Sequence, residues 1–381
     1  MSIRSIFAPH LFHGRVALIT GGGTGIGLRT AKEFLHLGGC VVICSRKEAV
    51  IAAAVETLNK LYPPYTPTAR PRAIGRACNI RDHASILSLC EWIQHQPRVG
   101  SEHGGSPAST SPRVDYLVNN AGGQFPSLAS SISPKGWAAV IDTNLTGTFL
   151  VSQTVFNMFF EKQGVADAEA AANAATNASG SVCASNPVGG CAIVTVVANM
   201  HNGFPGMSHT GAARAAVVNL TKSLSVEWAG AGVRINALAP GVIASSGLSN
   251  YNSSMQEMIA ATSAGNNYAS RLGSEAECAA AILFLLSPAS AFTTGACLNM
   301  DGGESLYSPM MRPVTHVLNR AWDDGKEGQD TRPLFLRGGG GGASAASDSA
   351  VSGASSSSAP PKSKSRSSTN PYAPAPLPSK L

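Results

Sequence analysis

Short runs rich in Val, Ile and Ala alternate with helix-length segments through most of the chain. RVALIT (15–20) predicts a strand, followed by a glycine turn and a helix over about Ile26–Leu37. CVVIC (40–44) is a second strand, with a helix running on to about Leu61. RAIGRACNI (72–80) gives a third strand, a helix starts near Asp82, and DYLVNN (115–120) gives a fourth. A long helix around 134–160 precedes CAIVTVVA (191–198), the helix HTGAARAAVVNLTK (209–222), VRINALAPG (233–241) and a last strand, ACLNM (296–300). The strands are apolar throughout rather than at alternate positions, so both of their faces are buried. Regular strand–helix alternation then predicts an α/β fold, a doubly wound parallel sheet covered by helices on both faces.

Two polar segments rich in small residues interrupt the pattern as surface insertions, near 95–113 and 163–190. Insertions of this kind cost little, because loop-closure entropy grows slowly with length. The Ala-rich part of the second leaves open an extension of the preceding helix. From about Gly338 the chain turns to Gly, Ser, Ala and Pro. Such sequence cannot bury enough apolar surface to offset its ordering entropy and is expected to be disordered. One folded domain is therefore expected over 1–311, with a linker and low-complexity tail over 312–381.

Charge narrows the function classes. Half of the net +6 comes from residues 338–381, where Lys362, Lys364, Arg366 and Lys380 face Asp348 alone. A solvated basic tail on a near-neutral domain, with no basic stripe carrying interleaved aromatics, argues against a nucleic-acid partner. The eight cysteines show no zinc-like spacing and several lie in apolar runs, so no metal site is expected and the thiols read as reduced and buried. No apolar stretch approaches the length of a membrane span. The chain ends in Ser379-Lys380-Leu381, an address read by the peroxisomal import receptor, which makes that receptor an expected partner and the peroxisome the expected location.

TGGGTGIG (20–27) lies between the first strand and the first helix, the place of a Rossmann-type dinucleotide turn. Gly21 permits the turn, Gly25 lets backbone approach a pyrophosphate, and Gly27 allows close helix packing, while Thr24 and Ile26 sit where the helix N-terminus offers N–H donors. The second strand ends in Ser45-Arg46-Lys47 with no acid until Glu48. A guanidinium and an ammonium there suit a 2′-phosphate better than a free ribose diol, so NADPH is the expected cofactor.

TGGGTGIG, NNAGG (119–123), the Asn of DTNLTGTF (Asn144) and APGVI (239–243), in this order, resemble the short-chain dehydrogenase/reductase family over roughly residues 14–304. The resemblance implies that Asn120, Ala121 and Gly122 lie beside the cofactor and Asn79 near its adenine. It also implies that Pro240, Gly241 and Ile243 flank the nicotinamide, and that Asn144 supports a proton-relay water. GGQF, KGW, NLTGTF, HTGAAR, NLTKSL and the terminal SKL are most similar to the peroxisomal trans-2-enoyl-CoA reductase group, with the 2,4-dienoyl-CoA reductases next. That likeness implies an acyl-CoA thioester substrate, NADPH-dependent reduction of its C2=C3 bond and a homo-oligomer, a tetramer. Residues 245–268, with Leu248, Met255, Met258 and Ile259, fall where the family places a substrate lid. A cofactor-binding member that has lost its acid is the competing reading.

The family's catalytic helix carries Tyr and Lys four residues apart, and HTGAARAAVVNLTK contains no tyrosine. Counting back from Arg234 of the RxN strand puts Arg214 in the lysine slot and Thr210 in the tyrosine slot. A second register, Val218 and Lys222, remains open, and in it the acid would be a valine. In the first, Arg214 would hold ribose hydroxyls as a fixed cation and Thr210 would orient the thioester oxygen or relay a proton. Ser208, His209 and His201 are alternative donors. Protonating an alkoxide calls for the Tyr–Lys acid, whereas an enolate protonates at carbon, so the missing tyrosine favours C=C reduction over ketone reduction.

Overall fold

The computed structural model describes residues 5–97, 99–101, 112–163 and 190–306. Most of both insertions, the segment 307–381 and the terminal tripeptide lie outside the described residues.

Seven parallel strands form one sheet in the order β3-β2-β1-β4-β5-β6-β9. They are β1 (Val16–Thr20), β2 (Cys40–Ser45), β3 (Ala73–Ala77), β4 (Tyr116–Asn119), β5 (Ala192–Val196), β6 (Arg234–Pro240) and β9 (Cys297–Met300). Successive side chains point to opposite faces, and in the inner strands both faces are buried, which is why these strands read as continuous hydrophobic runs, whereas the edge strands β3 and β9 are only partly buried. On one face Ala17 and Ile19 pack with Phe34 and Leu35 of α1 (Gly25–His36), Leu58 of α2 (Glu48–Leu61) and Ile282. On the other, Val16 and Leu18 share a core with Ile86 of α3 (His83–His95), Val155 and Leu224. The strand order reverses between β1 and β4, and in such sheets ligands bind outside the carboxyl ends of the strands at that switch point.

The expected long helix at 134–160 is broken. α4 (Pro134–Ile141) and α5 (Gly147–Val155) are joined through a π-helical turn, Asp142–Thr146, and a second such turn, Phe156–Phe160, follows α5. Side chains compete with the helical ladder here: Thr143 Oγ1 donates to the Ala139 carbonyl, and Asn144 Nδ2 to that of Val140. The wide turn places Asn144 inside the protein, and π turns of this kind gather at functional sites.

α6 (Ser208–Glu227) carries the tyrosine-free segment and packs on β6. β7 (Ile243–Ala244) and β8 (Gly273–Ser274) pair as a small second sheet that the sequence pattern did not reveal. Between them lies α7 (Ser253–Asn266), and after them α8 (Glu275–Leu286), whose start is fixed by a capping box between Ser274 and Glu277. Arg234 closes its other end by donating to the carbonyls of Leu285 and Leu286. The seven described cysteines are free thiols, six of them buried, while Cys183 lies outside the described residues. No described helix is long and apolar enough to cross a membrane.

Candidate active site

The carboxyl ends of β1 and β4 are tied together by one hydroxyl. Thr20 Oγ1 accepts from the backbone N–H groups of Asn120 and Ala121, both at 3.0 Å. Asn120 Nδ2 returns two bonds, to the carbonyls of Thr20 and Gly21. This lock seats the Asn120–Gly122 segment beside the glycine turn. Gly21 has φ +66°, the left-handed region that glycine enters without strain, and a Cβ on it would lie 2.8 Å from Asn120 Nδ2. A Cβ on Gly27 would stand 2.5 Å from the Gly21 carbonyl oxygen, so α1 can approach the turn only as glycine.

Thr24 is the N-cap residue of α1 and makes no side-chain cap bond. The first N–H groups of the helix are thus left for an external acceptor, the ordinary arrangement for a phosphate at a helix N-terminus. Arg46 and Lys47 are exposed at the end of β2, Ser45 is half-buried there, and Asn79 is exposed just beyond β3. Glu48, the nearest acid, is engaged elsewhere: its Oε2 accepts from the Ala77 N–H at 3.2 Å. The glycine turn and the uncapped start of α1 fit the phosphates of a dinucleotide.

Asn144 is held on three sides: Nδ2 donates to the Gly123 carbonyl at 2.7 Å and to that of Val140 at 2.9 Å, while Oδ1 accepts from the Gly123 N–H at 3.2 Å. Arg214 reaches the same spot from α6. A Cβ on Gly122 would lie 2.8 Å from Asn144 Oδ1 and 3.2 Å from the Arg214 NH2 nitrogen, so that glycine is what lets the two side chains close on the loop. The Arg214 NH1 nitrogen donates to the Val196 carbonyl at the end of β5. Its Nε is buried without a partner among the described residues, and burial pushes the guanidinium down to about 10, a nearby Tyr251 opposing.

The structure therefore brings Arg214, Asn144 and Gly122 together. Lys222 is exposed two turns further along α6, beside Gly295, and Val218 packs with Val197 and Ala239. Thr210 faces inward: its hydroxyl is fully buried with no hydrogen-bond partner among the described residues. His209 is buried too, edge-on to Phe125 with ring centroids 4.6 Å apart, both ring nitrogens without a hydrogen-bond partner among the described residues. His201 is exposed and engaged with Asn299 Oδ1 at 2.7 Å. Pro240 accepts from the Asn199 N–H through its carbonyl, and Gly241 donates to that of Met300. A cavity of about 410 Å³ lies behind this loop, lined in part by Gly241, Ile243, Asn267, Arg271 and Asp301; none of Asn144, Thr210 and Arg214 lines it.

Residues 15–167 match the short chain dehydrogenase model, and 166–305 match the enoyl-(acyl carrier protein) reductase model of the same group. The chain belongs to the short-chain dehydrogenase/reductase family. It is 32% identical over 307 residues to a peroxisomal 2,4-dienoyl-CoA reductase of Danio rerio, covering 80% of this chain and 85% of that one. Among solved structures, a citronellol catabolism dehydrogenase of Pseudomonas aeruginosa is 35% identical, with a TM-score of 0.58 over 79% of this chain and 99% of that one. An NADPH-bound short chain oxidoreductase of the same organism, described as containing an atypical catalytic center, is 25% identical, with a TM-score of 0.60 over 78% of this chain and 99% of that one. The chain is thus an oxidoreductase fold with a nicotinamide-dinucleotide site. The curated relative bears the name of the dienoyl group, which the sequence motifs placed second.

Two residues escaped the sequence reading. Gln124 Nε2 donates to the hydroxyl of Tyr251 at 3.2 Å, across 127 positions. Tyr251 lay inside the expected lid without being singled out, and only its neighbourhood to Arg214 marks it.

Proposed function

We propose that the chain reduces a conjugated 2,4-dienoyl-CoA thioester with NADPH, in the peroxisome. The observation that carries this reading is Arg214 against Asn144 and Gly122, with a sealed threonine where the family's phenol stands. Such a site offers fixed positive charge and no titrating Tyr–Lys pair, which suits charge developing on a thioester oxygen better than an alkoxide. The name of the Danio rerio relative supports the substrate class and, with Ser379-Lys380-Leu381, the location. Arg46 and Lys47, with Glu48 engaged elsewhere, support NADPH over NADH.

That relative is named as (3E)-enoyl-producing, and a 3-ene from a 2,4-diene requires new hydrogens at C5 and C2. With the cofactor's phosphates held at the glycine turn, the reduced nicotinamide would supply the hydride for C5. Arg214 would hold positive charge near the carbonyl oxygen as it becomes anionic, and its bond to the Val196 carbonyl fixes the guanidinium. Asn144, fixed by Gly123 and Val140, keeps the loop 121–123 from collapsing onto Arg214. Reduction of a trans-2-enoyl-CoA is the second reading, favoured by the motifs GGQF, KGW and NLTGTF. Oxidation of NADPH with each thioester in parallel tests the proposal: turnover of neither, with cofactor binding intact, would reject it.

A further inference from the structure

Thr210 is sealed, His209 is buried against Phe125 and His201 is committed to Asn299. Ser208, half-buried at the start of α6, offers only an aliphatic hydroxyl, a far weaker acid than a phenol. A phenol is present at Tyr251. Tyr251 is half-buried, at the start of the segment leading into α7, and its oxygen accepts from the Gln124 amide. An amide N–H is a donor only, so that bond leaves the phenolic hydrogen uncommitted, and the phenol makes no other hydrogen bond among the described residues. Gln124 follows Gly122 and Gly123 directly, so Tyr251 stands over the loop that meets Arg214 and Asn144.

We propose that Tyr251 is the proton donor to C2 of the thioester, a catalytic phenol delivered by the lid in place of the one missing from α6. The inference rests on the reading above. A hydride supplied by the reduced cofactor would form the new C–H bond at the distal alkene carbon with its own electron pair, displacing the π pair of that alkene through the conjugated system onto the thioester oxygen as an enolate. That enolate takes the proton: the Tyr251 O–H bond breaks, a C2–H bond forms, and the carbonyl is restored. The phenolate left behind keeps the Gln124 N–H bond and faces the Arg214 cation, and water returns its proton. Because the donor belongs to a segment separate from the cofactor turn, the site is complete only with the chain at 248–252 in place.

The test is Tyr251→Phe, beside Gln124→Ala and wild type. Thioester binding to cofactor-free protein is measured by calorimetry, and kcat and KM with 2,4-dienoyl-CoA and 2-enoyl-CoA. Tyr251→Phe is expected to lower kcat by ~10²-fold, the usual yield of a positioned general acid, with thioester Kd changed less than ~3-fold. In D2O the wild-type product carries deuterium on one face of C2, and the variant's on both. Gln124→Ala, which keeps the phenol, is expected to lose under ~10-fold. A variant whose kcat stays within ~3-fold of an active wild type overturns the inference and leaves the proposed function standing. Loss of thioester binding equal to the loss of kcat/KM also overturns it, making Tyr251 a wall of the site. A wild type that binds cofactor but turns over neither thioester rejects both.

Discussion

Replacing Arg214 with methionine should stabilise the cofactor-free protein. Burial holds the guanidinium at about 10, against an ordinary value above 12, with a hydrogen bond to Val196 and an Nε that has no partner among the described residues. The depression corresponds to on the order of 3 kcal/mol of cost for keeping the cation in the empty site. The sign follows from proton counts. Below about pH 10 both folded and unfolded chains hold the proton and the whole cost is present; above it the folded chain releases first and the cost fades. Methionine has similar volume and no charge to desolvate, but leaves the Val196 carbonyl without its donor, a loss of about 1 kcal/mol. The net gain is about 1–2 kcal/mol at pH 7, or ~2–8 °C in Tm at ~2–4 °C per kcal/mol.

Cofactor should reverse the order. At a hundredfold excess over Kd the wild type gains about 2.7 kcal/mol, and Arg214→Met, lacking the guanidinium expected to hold the ribose hydroxyls, should gain less. Denaturant melts of both proteins at pH 7, with and without NADPH, read all four stabilities. If Arg214→Met is less stable than wild type by more than ~1 kcal/mol without cofactor, the guanidinium is a structural support and the reasoning fails.

Other expectations follow from the same geometry. Gly27→Ala puts a methyl 2.5 Å from the Gly21 carbonyl oxygen and should weaken NADPH binding at least ~10-fold while costing about 1–3 kcal/mol of stability, read by fluorescence titration and denaturant melts. Arg46→Asp should raise the KM for NADPH far more than that for NADH in steady-state kinetics; equal effects would remove the basis for cofactor preference. Thr210→Val keeps the shape and removes an unpartnered buried hydroxyl, so turnover should stay within ~3-fold and stability should hold or rise by up to ~1 kcal/mol. A large loss of kcat there would return the proton donor to α6.

The sheet was legible because parallel strands buried on both faces write continuous apolar runs, and the turn at Gly21–Gly27 because each glycine answers a separate steric demand. The register of α6 followed from counting back from Arg234, whose side chain anchors the end of α8 and leaves β6 little room to slip. What stayed hidden depended on tertiary contact. Nothing local in DTNLT announces a π turn, since the Asn144 bonds that accompany it reach back to Val140 and across to Gly123. Thr210 was expected to face the site, but its burial depends on the way α6 docks, which sequence spacing does not report. Tyr251 and Gln124 meet through the fold alone, and a lid tyrosine carries no periodic or motif signal.

The central claim is that this tyrosine-free helix serves C=C reduction on a thioester. Its most direct measurement is NADPH oxidation with purified full-length protein and 2,4-dienoyl-CoA, 2-enoyl-CoA and a 3-ketoacyl-CoA side by side. The account predicts turnover of the dienoyl or enoyl thioester with product hydrogens at the alkene carbons, and at least ~10²-fold lower kcat/KM on the ketone. Efficient ketone reduction with no alkene reduction would contradict it.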